Sequence, residues 1–163
     1  MKLLVGAMTL FLVCNLSLVG QENTFTFKGQ VHSYGQTIKG VVVEVFEAGD
    51  LVHETITNGS GNFALQLDSK RDYMVEISMD KLQSKTIWIN TRRTKDLGFK
   101  VPVFAFDVDL KKEKITPYKE LTEIPVTLIK YQPKSKVFYM DKTYEDAVGN
   151  KRKKIKGNTL RVR

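Results

Sequence analysis

The sequence predicts an all-β fold of the β-sandwich type, and three observations support this prediction. Short stretches of alternating apolar and polar residues recur along the chain, turn-forming residues separate them, and no helical period runs between them. After an N-terminal leader, the chain is long enough for one ordinary domain with a hydrophobic core and an appendage.

Seven stretches show the alternation expected of half-buried strands. They are 24–28, 41–47, 51–57, 63–67, 73–79, 85–90 and 103–110. Because successive side chains of a strand point to opposite faces, each strand offers one apolar face to a core between two sheets. We expect Trp88 and the phenylalanines to fill that core.

The segment 57–63, with the sequence TNGSGNF, separates two of these strands. Asn58-Gly59 and Ser60-Gly61 both offer positions that tolerate a positive φ, which a tight turn requires. The segment therefore predicts a hairpin turn. A calcium loop would need several carboxylates and a phosphate-binding loop would need a following helix, and the segment has neither.

The N-terminus has the three-part layout of a secretory signal peptide. Lys2 gives a positive start, 3–13 is an apolar run too short to span a bilayer comfortably, and small and polar residues follow. We predict a signal peptide at 1–20 with cleavage after Gly20, and export to the periplasm, the cell surface or the medium. A membrane anchor is the alternative for this run, and no later stretch is apolar enough to cross a membrane.

Cys14, the only cysteine, lies in the leader, so the mature chain would have no thiol nucleophile and no disulfide.

Charge divides the chain into a nearly neutral part and a basic part. Residues 1–92 contain 8 Lys and Arg against 9 Asp and Glu, whereas 93–163 contain 18 against 9. Because like charges repel, we expect the last dozen residues, 152–163, to be mobile when free. The candidate partner-binding residues in this basic run are Lys151, Arg152, Lys153, Lys154, Lys156, Arg161 and Arg163.

Three hypotheses account for the basic run. It is a solvated tail that keeps the protein soluble, or it binds an anionic glycan or lipid surface or an acidic envelope protein, or it binds nucleic acid. We place nucleic acid last because the protein is predicted to be exported.

Two elements are predicted between the sandwich and the basic run. Residues 141–148 can start a short helix capped by Asp141, which Gly149-Asn150 would weaken or end. Residues 126–129 lie between two prolines and form either a further strand or a clasp against the edge of the sandwich. A peptide-capture groove is the functional alternative for this segment, and the sequence leaves the choice open.

Several turn and core motifs resemble the carboxypeptidase regulatory-like domain, a transthyretin-like sandwich. They are Gly29-Gln30-Val31, 38–43, 57–63 and 73–77, and the match covers roughly 24–110. Asn58 stands where the family has an acidic residue after the threonine. The resemblance implies a seven-stranded Greek-key module, found at bacterial surfaces, on secreted enzymes and ahead of outer-membrane transporters, and it implies no activity. The leader and looser matches after residue 105 are similar to secreted or periplasmic proteins of Bacteroidetes-type bacteria.

The sequence offers little chemistry for catalysis. His32 and His53 are the only histidines, and neither has a third ligand at metal spacing. A transthyretin-like hydrolase of purine catabolites would need a histidine and arginine constellation and a characteristic C-terminal tetrapeptide, whereas this chain ends LRVR. We predict no enzyme activity, no cofactor and no metal. Asp107 and Asp109 share one face of a strand. Exposure of that face to solvent is enough to account for two charged residues there, and a cation site is the alternative.

One covalent hypothesis comes from the related collagen-adhesin B-type domains, which can form a lysine-to-asparagine isopeptide bond assisted by an acid. Lys28, Asn90 and Glu76 are the candidates for these roles. The bond needs a buried trio, and Lys28 is predicted to point outward in the alternation set by Phe25 and Phe27. We therefore expect no such bond.

The sequence thus predicts three parts, which are a signal peptide at 1–20, a carboxypeptidase regulatory-like sandwich at 21–110, and a basic extension with a short helix at 111–163. We interpret the protein as a non-catalytic binding or assembly module of the bacterial envelope, with an envelope protein or an anionic surface as its partner. A structural accessory protein with a solubilising tail is the alternative hypothesis, and a hydrolase is the third.

Overall fold

The computed structural model describes residues 24–92, 101–112 and 124–159, with the backbone alone over 155–159. The leader predicted at 1–20 lies outside these residues. Ten strands and one helix lie within them. They are β1 (Thr24–Ser33), β2 (Gln36–Thr37), β3 (Val42–Glu47), β4 (Asp50–Ile56), β5 (Asn62–Asp68), β6 (Asp72–Ser78), β7 (Lys85–Asn90), β8 (Phe104–Asp109), β9 (Thr127–Gln132), β10 (Val137–Met140) and α1 (Lys142–Thr159).

The strands form a four-stranded and a six-stranded sheet. In the first sheet, β1 pairs antiparallel with β5 and with the short β2, and parallel with β8. The second sheet has the order β10-β9-β7-β6-β3-β4, and only the β7 and β9 pair is parallel. The fold is the all-β sandwich that the sequence predicts, and all seven predicted strands are confirmed. β2 and β10 are additional, and β9 overlaps the segment predicted as a strand or a clasp.

Apolar side chains from both sheets meet in one core. Burial alternates strictly along β1, β5 and β6, as the sequence pattern predicts. Phe27 is fully buried and makes edge-to-face contacts with Phe104 and Phe138, with ring centroids 6.2 and 4.8 Å apart. The phenylalanines that fill the core, as predicted, are Phe25, Phe27, Phe63, Phe106 and Phe138.

Trp88 is not part of this core, contrary to the prediction. It lies on the outer face of β7, where it packs against Tyr144 of α1 with 6.3 Å between the ring centroids. Its indole Nε1 donates a hydrogen bond to Asp72 Oδ1 at 3.2 Å. The alternation of β7 explains the outcome, because Ile87 and Ile89 occupy the inner face and Trp88 must then face outward.

The turn at 57–63 is confirmed, but it does not form a hairpin. The Asn58 carbonyl accepts a hydrogen bond from Gly61 N at 2.9 Å, and Asn58 Oδ1 accepts bonds from Ser60 N and Asn62 N at 3.0 Å. β4 pairs with β3 whereas β5 pairs with β1, so the turn carries the chain from one sheet to the other. The hairpin prediction was wrong because local alternation indicates which face of a strand is apolar, not which strand lies beside it.

Two strands from the predicted C-terminal extension belong to the six-stranded sheet. β9 runs parallel to β7, with Thr127 opposite Ile87 and Ile129 opposite Ile89, and β10 pairs with β9 at the edge. The segment predicted as a strand or a clasp is therefore a strand. Since β9 covers the edge that β7 would otherwise present, the sandwich continues past the boundary predicted at residue 110.

Candidate functional site

The basic run lies on α1, and this helix begins at a capped N-terminus. Asp141 Oδ1 accepts hydrogen bonds from the backbone N–H groups of Thr143 at 3.1 Å and Tyr144 at 3.4 Å. The ammonium of Lys130 forms a salt bridge with the same carboxylate. The predicted cap is therefore confirmed, and it also ties the start of the helix to β9.

The helix continues well beyond its predicted end. The sequence indicated a weakening or an end at Gly149-Asn150, but α1 runs through both residues to Thr159. Contacts with the sandwich explain this difference, because Val148 is only 8% exposed and Arg152 Nη2 donates to the Ile124 carbonyl at 2.9 Å. This packing outweighs the low helix propensity of glycine. Residues 152–159, which the sequence predicted to be mobile, thus belong to the helix.

One face of α1 rests on the outer face of β9 and β7. Tyr144, Val148 and Arg152 are four residues apart and therefore share a face. Tyr144 contacts Trp88, and its hydroxyl donates to the Pro125 carbonyl at 3.3 Å. Burial raises the pKa of the Tyr144 hydroxyl and lowers that of the Arg152 guanidinium. Arg152 therefore has a structural role in holding the helix.

The exposed surface of α1 carries the cations that are available to a partner. Lys151, Lys153 and Lys154 are all exposed. We call these three residues the helix lysines. Of the other predicted partner-binding residues, Arg152 is half-buried against Ile124, Lys156 lies where only the backbone is described, and Arg161 and Arg163 lie outside the described residues.

Two further lysines, which the sequence did not single out, lie at the same end of the sandwich. Burial lowers the pKa of Lys85 at the start of β7, the nearby charges of Lys111 and Arg152 lower it further, and Asp109 opposes them. Lys85 is thus close enough to Arg152 and Lys111 to respond to their charges. No local signal could reveal this grouping, because the three residues come from separate elements.

We expect acid to weaken the docking of α1 on the sandwich. The hydrogen bond from Lys130 holds the pKa of Asp141 below its usual range. Stabilisation by this pair is complete above about pH 4, the unfolded-state pKa, and is lost as the pH falls through the lower pKa of the folded protein. Trp88, the only tryptophan, packs on Tyr144 and reports the docking of the helix. Its fluorescence should shift to longer wavelength as the pH falls below about 4.

Asp141→Asn is the matched variant for this titration. An asparagine still caps the helix, but it has no charge to lose. The variant should therefore lack the part of the fluorescence change that Asp141 causes, while the β-sheet signal in circular dichroism stays the same in both proteins. Superimposable acid transitions of wild type and variant would show that the Lys130 pair does not hold the helix.

A second concave surface lies on the first sheet. It is a groove of about 610 Å³ that crosses β8, β1 and β5 and reaches the end of β4. Lys28 of β1 is exposed there, and its cross-strand partners are Ala64 in β5 and Ala105 in β8. Small side chains on both sides leave the lysine accessible. Further polar groups in the lining come from Gln30, Asn58, Asn62 and Asp107.

The three residues weighed for an isopeptide bond do not meet. Lys28 is exposed on the first sheet, whereas Glu76 and Asn90 belong to β6 and β7 of the second. The Asn90 side-chain amide instead donates to Asp72 Oδ1 at 2.6 Å. No buried trio is formed by these residues, and such a bond would require one.

The histidines and the paired aspartates lie on β1, β4 and β8. His32 is opposite Asp109 in the β1 and β8 pair, and His53 is exposed on β4. Asp107 and Asp109 are both exposed on one face of β8, as predicted. Within 24–92, 101–112 and 124–159, no group of three or more His, Cys, Asp or Glu residues is arranged to hold a metal ion. No helix in those ranges is long and apolar enough to cross a membrane.

Comparison with known proteins leaves the family open. No family model and no curated protein matches the chain, so the resemblance to the carboxypeptidase regulatory-like domain stays a prediction. One similar solved structure is 3-chlorocatechol 1,2-dioxygenase from Rhodococcus opacus 1CP, with 14% identity, a match over 58% of this chain and 62% of that chain, and a TM-score of 0.43. A second is the Bacillus anthracis TIE protein, with 10% identity, a match over 55% of this chain and 17% of that chain, and a TM-score of 0.44. A third is a double mutant of the shaft pilin SpaA from Lactobacillus rhamnosus GG, with 9% identity, a match over 58% of this chain and 49% of that chain, and a TM-score of 0.42. The match spans less than two thirds of the length of each of these chains. At such identities and TM-scores, the similarities do not bear on activity.

Proposed function

We propose that the protein is a non-catalytic binding or assembly module of the bacterial envelope that attaches to an anionic partner through the helix lysines. The observation that carries the proposal is the exposure of Lys151, Lys153 and Lys154 on a helix whose opposite side is fixed to the sandwich. The partner is an envelope protein with an acidic surface, or an anionic glycan or lipid.

A fixed helix suits this role better than a mobile tail. Tyr144 and Arg152 hold α1 through the carbonyls of Pro125 and Ile124, so the lysines keep a defined spacing before a partner arrives. Less conformational entropy is then lost on binding than when a disordered segment must become ordered.

The envelope location is part of the proposal. It rests on the leader predicted at 1–20 and on the bacterial-surface setting that the sequence resemblance implies. An exported basic protein meets anionic lipids, glycans and acidic proteins, and attraction to such surfaces is electrostatic and falls off within a Debye length. The location therefore also defines the class of partner.

Reversing the helix lysines should remove most of the attachment. Each lysine near an anionic surface contributes several-fold in affinity, so a variant with Lys151→Glu, Lys153→Glu and Lys154→Glu should bind an isolated envelope fraction at least about 100-fold more weakly than wild type. Co-sedimentation of the mature protein with that fraction measures the change.

The matched control reverses Lys39, Lys81 and Lys134, which are exposed in turns outside α1 and change the net charge by the same amount. This control should sediment like wild type. Equal losses in the two variants, or no loss in either, would favour an accessory protein whose charges only keep it soluble. Turnover of purine catabolites by the wild-type protein would replace the proposal with the hydrolase hypothesis.

A further inference from the structure

β4 is an edge strand of the second sheet in the described part of the chain. Among the described strands, β4 pairs only with β3, whereas the opposite end of the sheet is built from β9 and β10. Its sequence, DLVHETI, contains neither the lysine nor the proline that often protects an edge strand. A bulge at Val52 of β4, between the pairs Val45–His53 and Phe46–Leu51, disturbs the start of the strand and leaves His53 to Ile56 regularly paired.

Three glutamates lie side by side across the outer face next to this edge. Glu44 of β3 is directly opposite Glu54 of β4 on one side and Glu76 of β6 on the other. Like charges in this position repel one another. None of the three forms a salt bridge within the described part of the chain. A cation placed in line with the row would relieve the repulsion.

Apolar side chains flank the glutamate at the edge on both sides. Ile56, two residues after Glu54, is 57% exposed, and Leu51 and Val52 before it are 51% and 50% exposed. Leu51 is opposite Phe46, so an apolar row runs inward beside the acidic one. The edge thus presents an apolar, acidic, apolar pattern to anything that pairs with it.

The groove on the first sheet begins where β4 ends. Thr55, Ile56 and Asn58 form one end of its lining, and Lys28 and Ala64 lie further along. The cavity of about 610 Å³ therefore adjoins the C-terminal end of β4.

We propose that β4 binds an extended segment of another protein by strand addition, and that this segment carries a lysine or arginine opposite Glu54 with apolar residues two positions before and after it. Main-chain hydrogen bonds to β4 supply affinity in this mode, and alternate side chains supply specificity. The cation completes a row with Glu54, Glu44 and Glu76, and the apolar residues cover Ile56 on one side and Val52, with Leu51 beside it at the bulge, on the other. This surface is separate from the helix lysines, so the inference does not depend on the proposed function.

The test uses two short capped peptides that differ at one position. Both have valine two residues before and after the central position and threonine elsewhere, with lysine at the centre of one and glutamate at the centre of the other. Backbone amide shifts and hydrogen exchange of the mature protein report binding. The lysine peptide should shift and protect amides of β4 and bind about tenfold or more tightly than the glutamate peptide.

A charge-swapped variant makes the test specific for register. Glu54→Lys should reverse the preference, so that the glutamate peptide binds more tightly than the lysine peptide. Equal binding of the two peptides, binding of neither, or shifts confined to another edge would overturn the proposal. Self-association of the wild-type protein through β4 amides without any peptide would also overturn it, because a second copy would then be the occupant.

Discussion

Replacing Phe138 with alanine is expected to lower the free energy of unfolding by about 3–5 kcal/mol, the range for deleting a buried aromatic ring. Phe138 lies on β10, in the part of the chain that the sequence assigned to an extension, yet it is only 5% exposed. Its ring centroid is 5.2 Å from that of Phe25, 4.8 Å from that of Phe27 and 5.4 Å from that of Tyr131. The loss would leave a cavity between these three rings.

Val137→Ala is the control for this measurement, because Val137 is the neighbouring residue on β10 and is 37% exposed. Urea unfolding of both variants should show a small change for the control and a large one for Phe138→Ala. If the two changes were equal, β10 would not be part of the core, and the boundary predicted at residue 110 would stand as a true domain limit.

Gly61→Ala should be the most damaging change in the turn at 57–63. Gly61 has a φ of 72°, which costs a residue with a side chain about 1–2 kcal/mol. A Cβ there would also lie 2.7 Å from the Val31 carbonyl oxygen and 3.1 Å from Ile38 N, both backbone atoms that cannot move aside easily. The Gly61 carbonyl in turn accepts a hydrogen bond from Val31 N at 2.8 Å. Strain and displacement together should cost about 2–4 kcal/mol.

Gly59→Ala in the same turn provides the comparison. A Cβ at Gly59 would meet nothing within 4 Å, and this residue does not have a positive φ. Its thermal unfolding should stay close to that of wild type, whereas Gly61→Ala should melt many degrees lower. Similar melting temperatures for the two variants would mean that the backbone of the turn adapts to a side chain at position 61. The turn would then not determine how the two sheets pack together.

Much of the fold could be predicted from local pattern alone. Alternating residues located seven strands, and the glycines and asparagine at 57–63 located the turn. The identity of the neighbouring strand could not be predicted this way. The parallel pairing of β9 with β7 joins residues about forty positions apart in sequence, such as Ile129 and Ile89, and no local signal encodes it.

The candidate site could be predicted only in part, because local sequence pattern does not reveal contacts between residues that are far apart in the chain. The basic run is visible as composition, and Asp141 is visible as a cap. The extent of α1 was not, because Gly149 has low helix propensity and the contact from Arg152 to the Ile124 carbonyl that outweighs it is a tertiary one. The row of glutamates ending at Glu54 was also hidden, since it depends on the register of three strands.

The central claim is that the helix lysines attach the protein to an anionic partner, and the most direct test is the salt dependence of that attachment. Retention of the mature wild-type protein on isolated envelope membranes should fall steeply as salt screens the contacts. The variant with Lys151→Glu, Lys153→Glu and Lys154→Glu should show weak retention that changes little with salt. Retention that is insensitive to salt in wild type, or that falls equally in both proteins, would contradict the claim and place the binding surface elsewhere on the sandwich.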